Sequence, residues 1–541
     1  MRKDRQVIII NFNTPELTEA AILSLRKHGG QDYEVTVVDN SQDVDYPDSD
    51  RIKGMKMKAR PFTKQMEGVR VVDNTRGQLV NIDAELEKYT HNMPWYRTYN
   101  NWGSVRHMIT IQALFDLMPD GFLLMESDVL LKRSVDFMFR PDLCCVGFIH
   151  EQKYNMYHIE RMVPFLCYIN PRKCREAGVQ YYDPNRCWML KGDRNDRNNW
   201  YDTGASFIED IKRNKPRSRG IKLSRDFFLS MIEHLGAGSW KDDSRRDGMT
   251  TATEWLLKNR QLWMPEHFER PKTDKVAVCA IGRLENRYAK EFVQHHLKLG
   301  FDKVIIYDNN HDGEEQFEKV LKTYITKKQV EVIDWRNREH EQNEAYRDCY
   351  IRYGNQYQWI AFFDFDEHLK LTTAKNIKDV LKDIEADVVT LNWRIMTDNN
   401  LVVDDKKSTL EKRFTQPAPA DVRNEEGHMA NRYVKSIVRG GLPMIAWKSP
   451  HCPVVPGKYA YIDGKPAQCS SMHPADYTVA RLDHFCTKTI EEYMMLKRRR
   501  GVGFSPANTE RLRRDAAKIF FLYNERTPMK EEWLRMNGFS E

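Results

Sequence analysis

No stretch of the 541-residue chain approaches the roughly 20 consecutive apolar residues that cross a bilayer, so no membrane-spanning helix is expected. The charged opening Met1-Arg2-Lys3-Asp4-Arg5 leads into an apolar run that breaks at Asn11, with no small-residue cleavage pattern after it, and predicts no secretory leader. Ten cysteines contain no Cys-x-x-Cys pair; Cys144 and Cys145 are adjacent and the others lie scattered among apolar neighbours. That pattern argues against a zinc ribbon and a disulfide-stapled secreted scaffold, and the chain reads as cytosolic with reduced thiols. Gly-x-Gly-x-x-Gly follows the first strand of neither half, and Gly-x4-Gly-Lys-Ser/Thr is absent throughout, against a dinucleotide-binding Rossmann domain and a P-loop enzyme. No RRM, KH or zinc module is present, so nucleic acid is not expected as a partner. Charge of one sign is scarce as well. Lys plus Arg (85) exceeds Asp plus Glu (78) by only seven, which suits anionic substrates or an acidic membrane surface.

What remains is an ordinary globular composition, 41% hydrophobic and 30% charged, in a chain long enough for two or three domains. Its organisation shows in a weak internal repeat. Val7-Ile8-Ile9-Ile10 reads as a buried strand, a helical stretch follows, and Val35-Thr36-Val37-Val38 ends in Asp39-Asn40-Ser41. In the second half Val276-Ala277-Val278-Cys279 precedes a helical stretch, and Val304-Ile305-Ile306-Tyr307 ends in Asp308-Asn309-Asn310. Both anchors are 269 residues from their counterparts. A third pair, Phe122 to Met125 before Glu126-Ser127-Asp128 and Ile360 to Phe363 before Asp364-Phe365-Asp366, is 238 residues apart. The first half therefore carries an insertion between its second and third anchors, as surface loops tolerate. Strands alternating with helices predict an α/β fold, a mostly parallel sheet covered on both faces in each half. The expected domains are 1–268, 269–490 and a basic helical segment 491–541, joined first through the polar, proline-bearing stretch from Met264 to Asp274.

In an open α/β sheet, ligands bind beyond the carboxyl ends of the strands, and all three anchors place carboxylates there. Asp39 and Asp308 each end a strand, where a carboxylate can accept hydrogen bonds from a ribose or a base edge. Glu126 with Asp128, and Asp364 with Asp366, stand at i and i+2 and can share one hard divalent cation such as Mg²⁺ or Mn²⁺. Each signal alone is weak, since Asp-Asn after a strand is often a turn and Asp-x-Asp a loop or cap. Their repetition in one order in both halves points to metal-assisted transfer from a nucleotide donor.

On these residues both halves resemble GT-A glycosyltransferases. The first half, over roughly Val7 to Trp240, resembles glycosyltransferase family 2 through VIIINFNTPELTEAAILSL, VTVVDNS, VVDNTRG, FLLMESDVLL, YDTGASF and EHLGAGSW, with Glu-Ser-Asp where that family more often has Asp-x-Asp. The resemblance implies that Asp39 contacts the nucleoside with Asn11 and Asn13 near it. It also implies that Glu126 and Asp128 hold the metal and that His234 completes the site. Asp202 is the candidate general base, with Glu209 and Asp210 as rivals, and Asp202-Thr203 could also serve as a helix cap. The second half, over roughly Lys275 to Gly501, resembles glycosyltransferase family 92 through CAIGRLENRYAKEFVQHHLKLGFDKVIIYDNN, QWIAFFDFDEHL and LDHFCTKTIEEYMMLKRRRG, with Arg283-Leu284-Glu285-Asn286 where that family usually has Lys-Asn-Glu. Here the resemblance places Glu285 and Asp308 in the donor pocket, Asp364, Asp366 and His484 on the metal, and Lys488, Lys497 and Arg500 near the donor phosphates. It assigns no base to this half; Glu367, beside the acid pair, is as well explained by a structural duty.

The basic tail, with Lys497 to Arg500, Arg511, Arg513 and Arg514, reads as a solvated helix face, as phosphate contacts, or as a peripheral contact with an anionic membrane aided by Ile519 to Tyr523. The expectation is a bifunctional, cytosol-facing transferase. It would move sugars from nucleotide-diphosphate donors, UDP-sugars foremost, to a glycan or lipid-linked glycan acceptor of a capsule, exopolysaccharide or lipopolysaccharide. Both families are inverting, which implies single displacement. The alternatives are one active half with the other a binding or scaffold module, and a nucleotidyltransferase, which would bring a Gly-rich basic loop after its first strand.

Overall fold

The structure is a computed structural model and describes residues 5–29, 33–46, 55–85, 99–154, 157–182, 203–236, 251–266, 268–444, 446–501, 503 and 505–539. The chain divides into two compact units, Met1–Glu266 and His267–Glu541. Both are α/β. Among the described residues no helix is long and apolar enough to cross a membrane.

In the first unit, strands β1 (Gln6–Asn11), β2 (Glu34–Asp39), β3 (Val69–Asp73) and β4 (Phe122–Glu126) lie side by side in the order β3-β2-β1-β4, all parallel. Alternation along β1 explains why it is central. Val7 and Ile9 join one buried cluster with Ala21 and Leu25 of helix α1 (Pro15–Gly29), while Ile8 and Ile10 join another on the opposite face. Each buried Val, Ile or Leu among them contributes roughly 1.5–3 kcal/mol by leaving water. After β4 come the short strand β5 (Val129–Leu131) and then the long antiparallel pair β6 (Cys145–Tyr154) and β7 (Tyr157–Ile169), with β7 antiparallel to β4. Strand β8 (Ile221–Leu223) closes that edge, and β9 (Ile232–His234) pairs with β5.

The second unit repeats the plan. Strands β10 (Val276–Gly282), β11 (Lys303–Asp308), β12 (Val330–Asp334) and β13 (Trp359–Phe362) run parallel in the order β12-β11-β10-β13. Val276, Val278 and Ala280 face one cluster and Ala277 and Cys279 the other. Helix α4 (Asn286–Lys298) covers the sheet through Ala289, Phe292, Val293 and His296, one stripe at helical spacing. Beyond β13 the sheet turns antiparallel, through β16 (Val434–Arg439) and β15 (Val388–Ile395). Strand β14 (Glu367–Leu371) pairs antiparallel with β19 (Ala480–His484). Each sheet is thus uniformly parallel only across its first four strands. The strands after the acid pair mix directions: β7 runs antiparallel to β4 and β6, and β16 to β13 and β15, while β8 is parallel to β6 and β15 is parallel to β19.

The chain after Thr489 packs as helices into the second unit. Ile519 and Phe520 are buried with Tyr493, Leu512 and Leu534. The apolar run read as a membrane-facing patch is in large part an internal packing surface, with Leu522 its exposed member.

Candidate functional site

Two antiparallel ribbons do the same job in the two units. In the first, β5 and β9 place His234 opposite Val129, the residue after Asp128. In the second, β14 and β19 place His484 opposite Glu367, the residue after Asp366. A histidine from far along the chain is thereby delivered beside each acid pair.

In the first unit the three side chains converge. His234 Nε2 lies 3.4 Å from Asp128 Oδ1 and 3.8 Å from Glu126 Oε2, and ligand atoms of all three fall within 4.8 Å of one another. The Nε2 atom is buried without a hydrogen-bond partner, and the Phe165 ring packs 3.8 Å from the imidazole centroid and fixes its plane. A buried ring nitrogen aimed at two carboxylate oxygens fits a divalent cation with mixed N/O ligands. His107, on helix α2 (Tyr99–Leu117), adds its Nδ1 at 3.8 Å from Glu126 Oε1. Burial drives its pKa down to about 4 against the pull of Asp128, so the ring is neutral at pH 7. Nothing in its spacing along the chain marked it.

Asn11, Asn13 and Asp39 meet at the ends of β1 and β2, and all three are buried. Asp39 Oδ1 accepts from Asn11 Nδ2 and from the Ser41 N–H, both at 3.0 Å, and Oδ2 accepts from the Phe62 N–H at 2.8 Å. Asn13, at φ 56°, binds Gln42 and the Arg60 N–H. These residues hold the loops around the strand ends. Ser127, inside the acid pair, bonds Thr14 at 3.0 Å. Asp202 lies outside the described residues. Of its rivals, Asp210 is buried and accepts from the Gln180 N–H, while Glu209 faces solvent on helix α3 (Ala205–Asn214).

In the second unit Glu285, Asp364, Asp366, His484, Lys497 and Arg500 line one cavity of 360 Å³. Asp366 is nearly buried, with His484 Nε2 3.6 Å from Oδ1, and Lys488, Arg500 and Lys497 at 3.2, 3.7 and 4.0 Å from Oδ2. Burial alone would raise this carboxyl; Lys488, with His484 and Lys497, overrides it and holds Asp366 well below the carboxylate range. Asp364 Oδ1 accepts from Gln342 (2.7 Å) and Tyr346 (2.8 Å) and is salt-bridged to the wholly buried Lys435 ammonium at 2.9 Å. Gln342 and Tyr346 belong to helix α5 (Gln342–Tyr353). Glu367 is fully buried, accepts from the Asp364 N–H and lies 3.7 Å from Lys435. Arg500 pairs with Glu285, whose other oxygen is buried without a partner. Burial lowers the Arg500 guanidinium to about 10.

Two expected residues stand behind the cavity wall. Lys488 reaches Asp366 from φ 55°, its ammonium 4.8 Å over the Tyr288 ring. Asp308 is fully buried and salt-bridged to Arg336 at 2.7 Å, with Oδ1 accepting from Asn310. Leu284, just before Glu285, also has positive φ (58°), its N–H held by Asn310. Left-handed backbone at non-glycine residues costs about 1–3 kcal/mol and collects at functional sites. The far wall of the cavity is aromatic: Trp393 packs 4.3 Å from His484 and 5.4 Å from Tyr433, with His451 at 5.1 Å from both Trp393 and Tyr433.

Asp364, Asp366 and His484 do not close into a three-ligand group as tightly as Glu126, Asp128 and His234 do, because Lys435 and Lys488 occupy carboxylate oxygens. The donor set still suits a hard cation that displaces an ammonium. Among the described residues a second group, His295, His368 and Glu411, also gathers ligand atoms, but Lys370 sits 2.8 Å from the shared Glu411 oxygen and completes a charged hydrogen-bond network.

Residues 275–448 match the model of glycosyltransferase family 92, so the second unit carries a glycosyltransferase domain. Over 115 residues the chain is 29% identical to a glycosyltransferase family 92 protein of Ricinus communis, covering 21% of this chain and 20% of that one. Over 112 residues it is 30% identical to the galactan beta-1,4-galactosyltransferase GALS3 of Arabidopsis thaliana, covering 19% and 22%. The chain spans about a fifth of the length of these relatives. Among solved structures, the glycosyltransferase GlyE of Streptococcus pneumoniae aligns with 61% of this chain and 80% of its own, at 10% identity and a TM-score of 0.26. TarS of S. aureus in complex with UDP-GlcNAc aligns with 24% and 37%, at 17% identity and a TM-score of 0.19. At those scores nothing rests on either likeness.

Proposed function

We propose that the chain is a bifunctional, metal-dependent glycosyltransferase whose two units each move a sugar from a nucleotide-diphosphate donor to an acceptor hydroxyl of a growing surface glycan. The observation that supports this best is the recurrence in both units of one arrangement: an acid pair at the end of the strand beside the first strand, and a histidine set against it by an antiparallel ribbon. Glu126, Asp128 and His234 would hold Mn²⁺ or Mg²⁺ in one unit, and Asp364, Asp366 and His484 in the other. Such a cation neutralises a diphosphate leaving group. Lys497 and Arg500 add positive charge on the same cavity wall. Glu285, with one oxygen unpaired, is placed to accept a hydroxyl of the donor. Water is limited by the aromatic wall of Trp393, Tyr433 and His451, which also offers ring faces to a pyranose. Asp202 remains the candidate base of the first unit, with inversion at the anomeric carbon. The donor is a UDP-sugar, and a hexose donor such as UDP-galactose leads the panel because one relative is named a galactosyltransferase.

The test is a donor-hydrolysis screen with Mn²⁺ across UDP-, GDP- and dTDP-sugars, comparing wild type with Asp128→Ala, Asp366→Ala and the double variant. The expected result is that each single variant abolishes release from a different donor. A second reading, one active unit and one binding module, is favoured by the ammonium groups on Asp364 and Asp366. It predicts that only Asp128→Ala affects turnover. Metal-independent release unaffected by either substitution would remove both.

A further inference from the structure

Of the nine cysteines among the described residues, eight are buried and Cys469 is exposed. Its sulfur lies 3.1 Å from Sγ of the buried Cys452, closer than two sulfurs sit in ordinary van der Waals contact. The approach is not isolated. Cys452 opens β18 (Cys452–Val454), which pairs antiparallel with β17 (Ala446–Ser449). The Cys469 stretch is clamped to this hairpin and its neighbour at the sulfur pair and just past it. Ser449 and Ser471 hydroxyls meet at 3.1 Å, the Val434 N–H donates to the Ser471 carbonyl, Tyr433 bridges Met472, and Cys469 Sγ lies 3.4 Å from the Pro453 carbonyl. The same two stretches build the aromatic wall of the cavity: His451 directly precedes Cys452, Tyr433 is bridged to Met472, and the two rings are 5.1 Å apart.

We propose that Cys452 and Cys469 form a disulfide with a small-molecule disulfide of the glutathione type as oxidant, and that the bond clamps the Tyr433–His451 wall of the cavity. The chemistry proceeds by two exchanges. The Cys469 thiolate attacks one sulfur of the oxidant, the oxidant's S–S bond breaks, and one glutathione thiolate leaves. Cys452 then gives its proton to water and attacks Cys469 Sγ, expelling the second glutathione. Two protein thiols are oxidised and one glutathione disulfide is reduced to two thiols. The order follows from exposure, since only Cys469 meets solvent. Contact with Cys469 and burial both raise the Cys452 thiol, so it acts second, once Cys469 carries a leaving group. The cysteines are 17 residues apart, and closing that loop restricts the unfolded chain. The inference does not depend on which sugar, if any, enters the cavity.

The full-length protein is equilibrated with oxidised glutathione, remaining thiols are blocked, and peptides are mapped without reductant. The expected product is a linked peptide joining Cys452 and Cys469, absent from Cys469→Ser. The second unit's thermal midpoint should rise by about 5 °C over the reduced protein and fall back with dithiothreitol. In Cys452→Ser, whose fold is checked by the same melt, a mixed disulfide with glutathione should accumulate on Cys469. The proposal is overturned by a wild-type protein that keeps Cys452 blockable under the oxidant. An unmodified Cys469 in Cys452→Ser, or equal midpoints for the oxidised and reduced forms, would overturn it too.

Discussion

Lys435 Nζ lies 2.9 Å from Asp364 Oδ1 and 3.7 Å from Glu367 Oε1, with no part of the lysine exposed. One ammonium thus answers two carboxylates at the floor of the cavity. Burial would strip its charge, yet Asp364 and Glu367 hold the lysine above its ordinary pKa. Removing one partner of a buried pair leaves an uncompensated charge, at a cost of about 3–5 kcal/mol. Lys435→Met should therefore lower the melting temperature of the second unit markedly, and Mn²⁺ should restore part of the loss by supplying positive charge at the acid pair. Calorimetry of wild type and variant with EDTA and with Mn²⁺ decides it. Equal melts in EDTA would mean that the pair contributes nothing.

In the first unit the corresponding test is His234. Its Nε2 has no hydrogen bond to lose, so His234→Ala removes the proposed ligand and, beyond it, only the packing of the imidazole against Phe165. With the second unit silenced by Asp366→Ala, Mn²⁺ affinity measured by electron paramagnetic resonance should fall at least tenfold in His234→Ala. The melting temperature without metal should move by less than a few degrees. Unchanged Mn²⁺ binding would place the ion elsewhere.

The strand-end carboxylates were legible in the chain because a parallel βα unit forces the residue after a buried strand onto one edge of the sheet, and Asp39, Asp308 and both acid pairs obey that rule. The shared offset of the first two anchors corresponds to a shared strand order. What surrounds the carboxylates was less readable. Lys435 reaches Asp364 only because β16 pairs antiparallel with β13, a register set by long-range packing, and the lone signal is a lysine inside an apolar strand. His107 sits on a helix whose burial pattern the sequence does not announce. Asp308 shows the converse: its position after a strand was plain, but its partner Arg336, beyond the next strand, was not. Antiparallel returns, Arg336 and Lys435 all depend on contacts distant in sequence, where local periodicity carries no information.

Gly204, in the Thr203-Gly204 turn that opens helix α3, adopts φ +85°, and a Cβ there would sit 2.2 Å from the Met162 carbonyl oxygen. That oxygen is backbone and cannot move aside. Gly204→Ala should lose about 2 kcal/mol or more through strain and displacement of β7. Because this turn follows Asp202, donor turnover by the first unit should fall with it while the second unit's is kept. Chemical denaturation and the two donor assays read both effects. Wild-type stability in Gly204→Ala would show that the turn relaxes freely.

Glu492 offers a pH test separate from the two acid pairs. It accepts two hydrogen bonds from Arg413, at 2.8 and 2.9 Å, and closes a capping box with Thr489. Burial opposes its charge, but Arg413, Tyr288 and Thr489 win and lower its pKa from 4.5 to about 2. The folded value lies below the unfolded one, so the charged form is the one that folding favours. Its contribution, about 3 kcal/mol, is complete above about pH 4.5 and drains away as pH falls towards 2. Glu492→Gln should be less stable than wild type by about that amount at pH 7, and the gap should narrow steadily below pH 4.5. Arg413 also pairs with Asp404 at 3.1 Å, which remains in the variant and keeps the guanidinium from being stranded. Melting curves of both proteins from pH 7 to pH 3 isolate this one group, because every other titration cancels in the difference. A gap that stays constant with pH would mean that Glu492 stabilises through shape and hydrogen bonding alone.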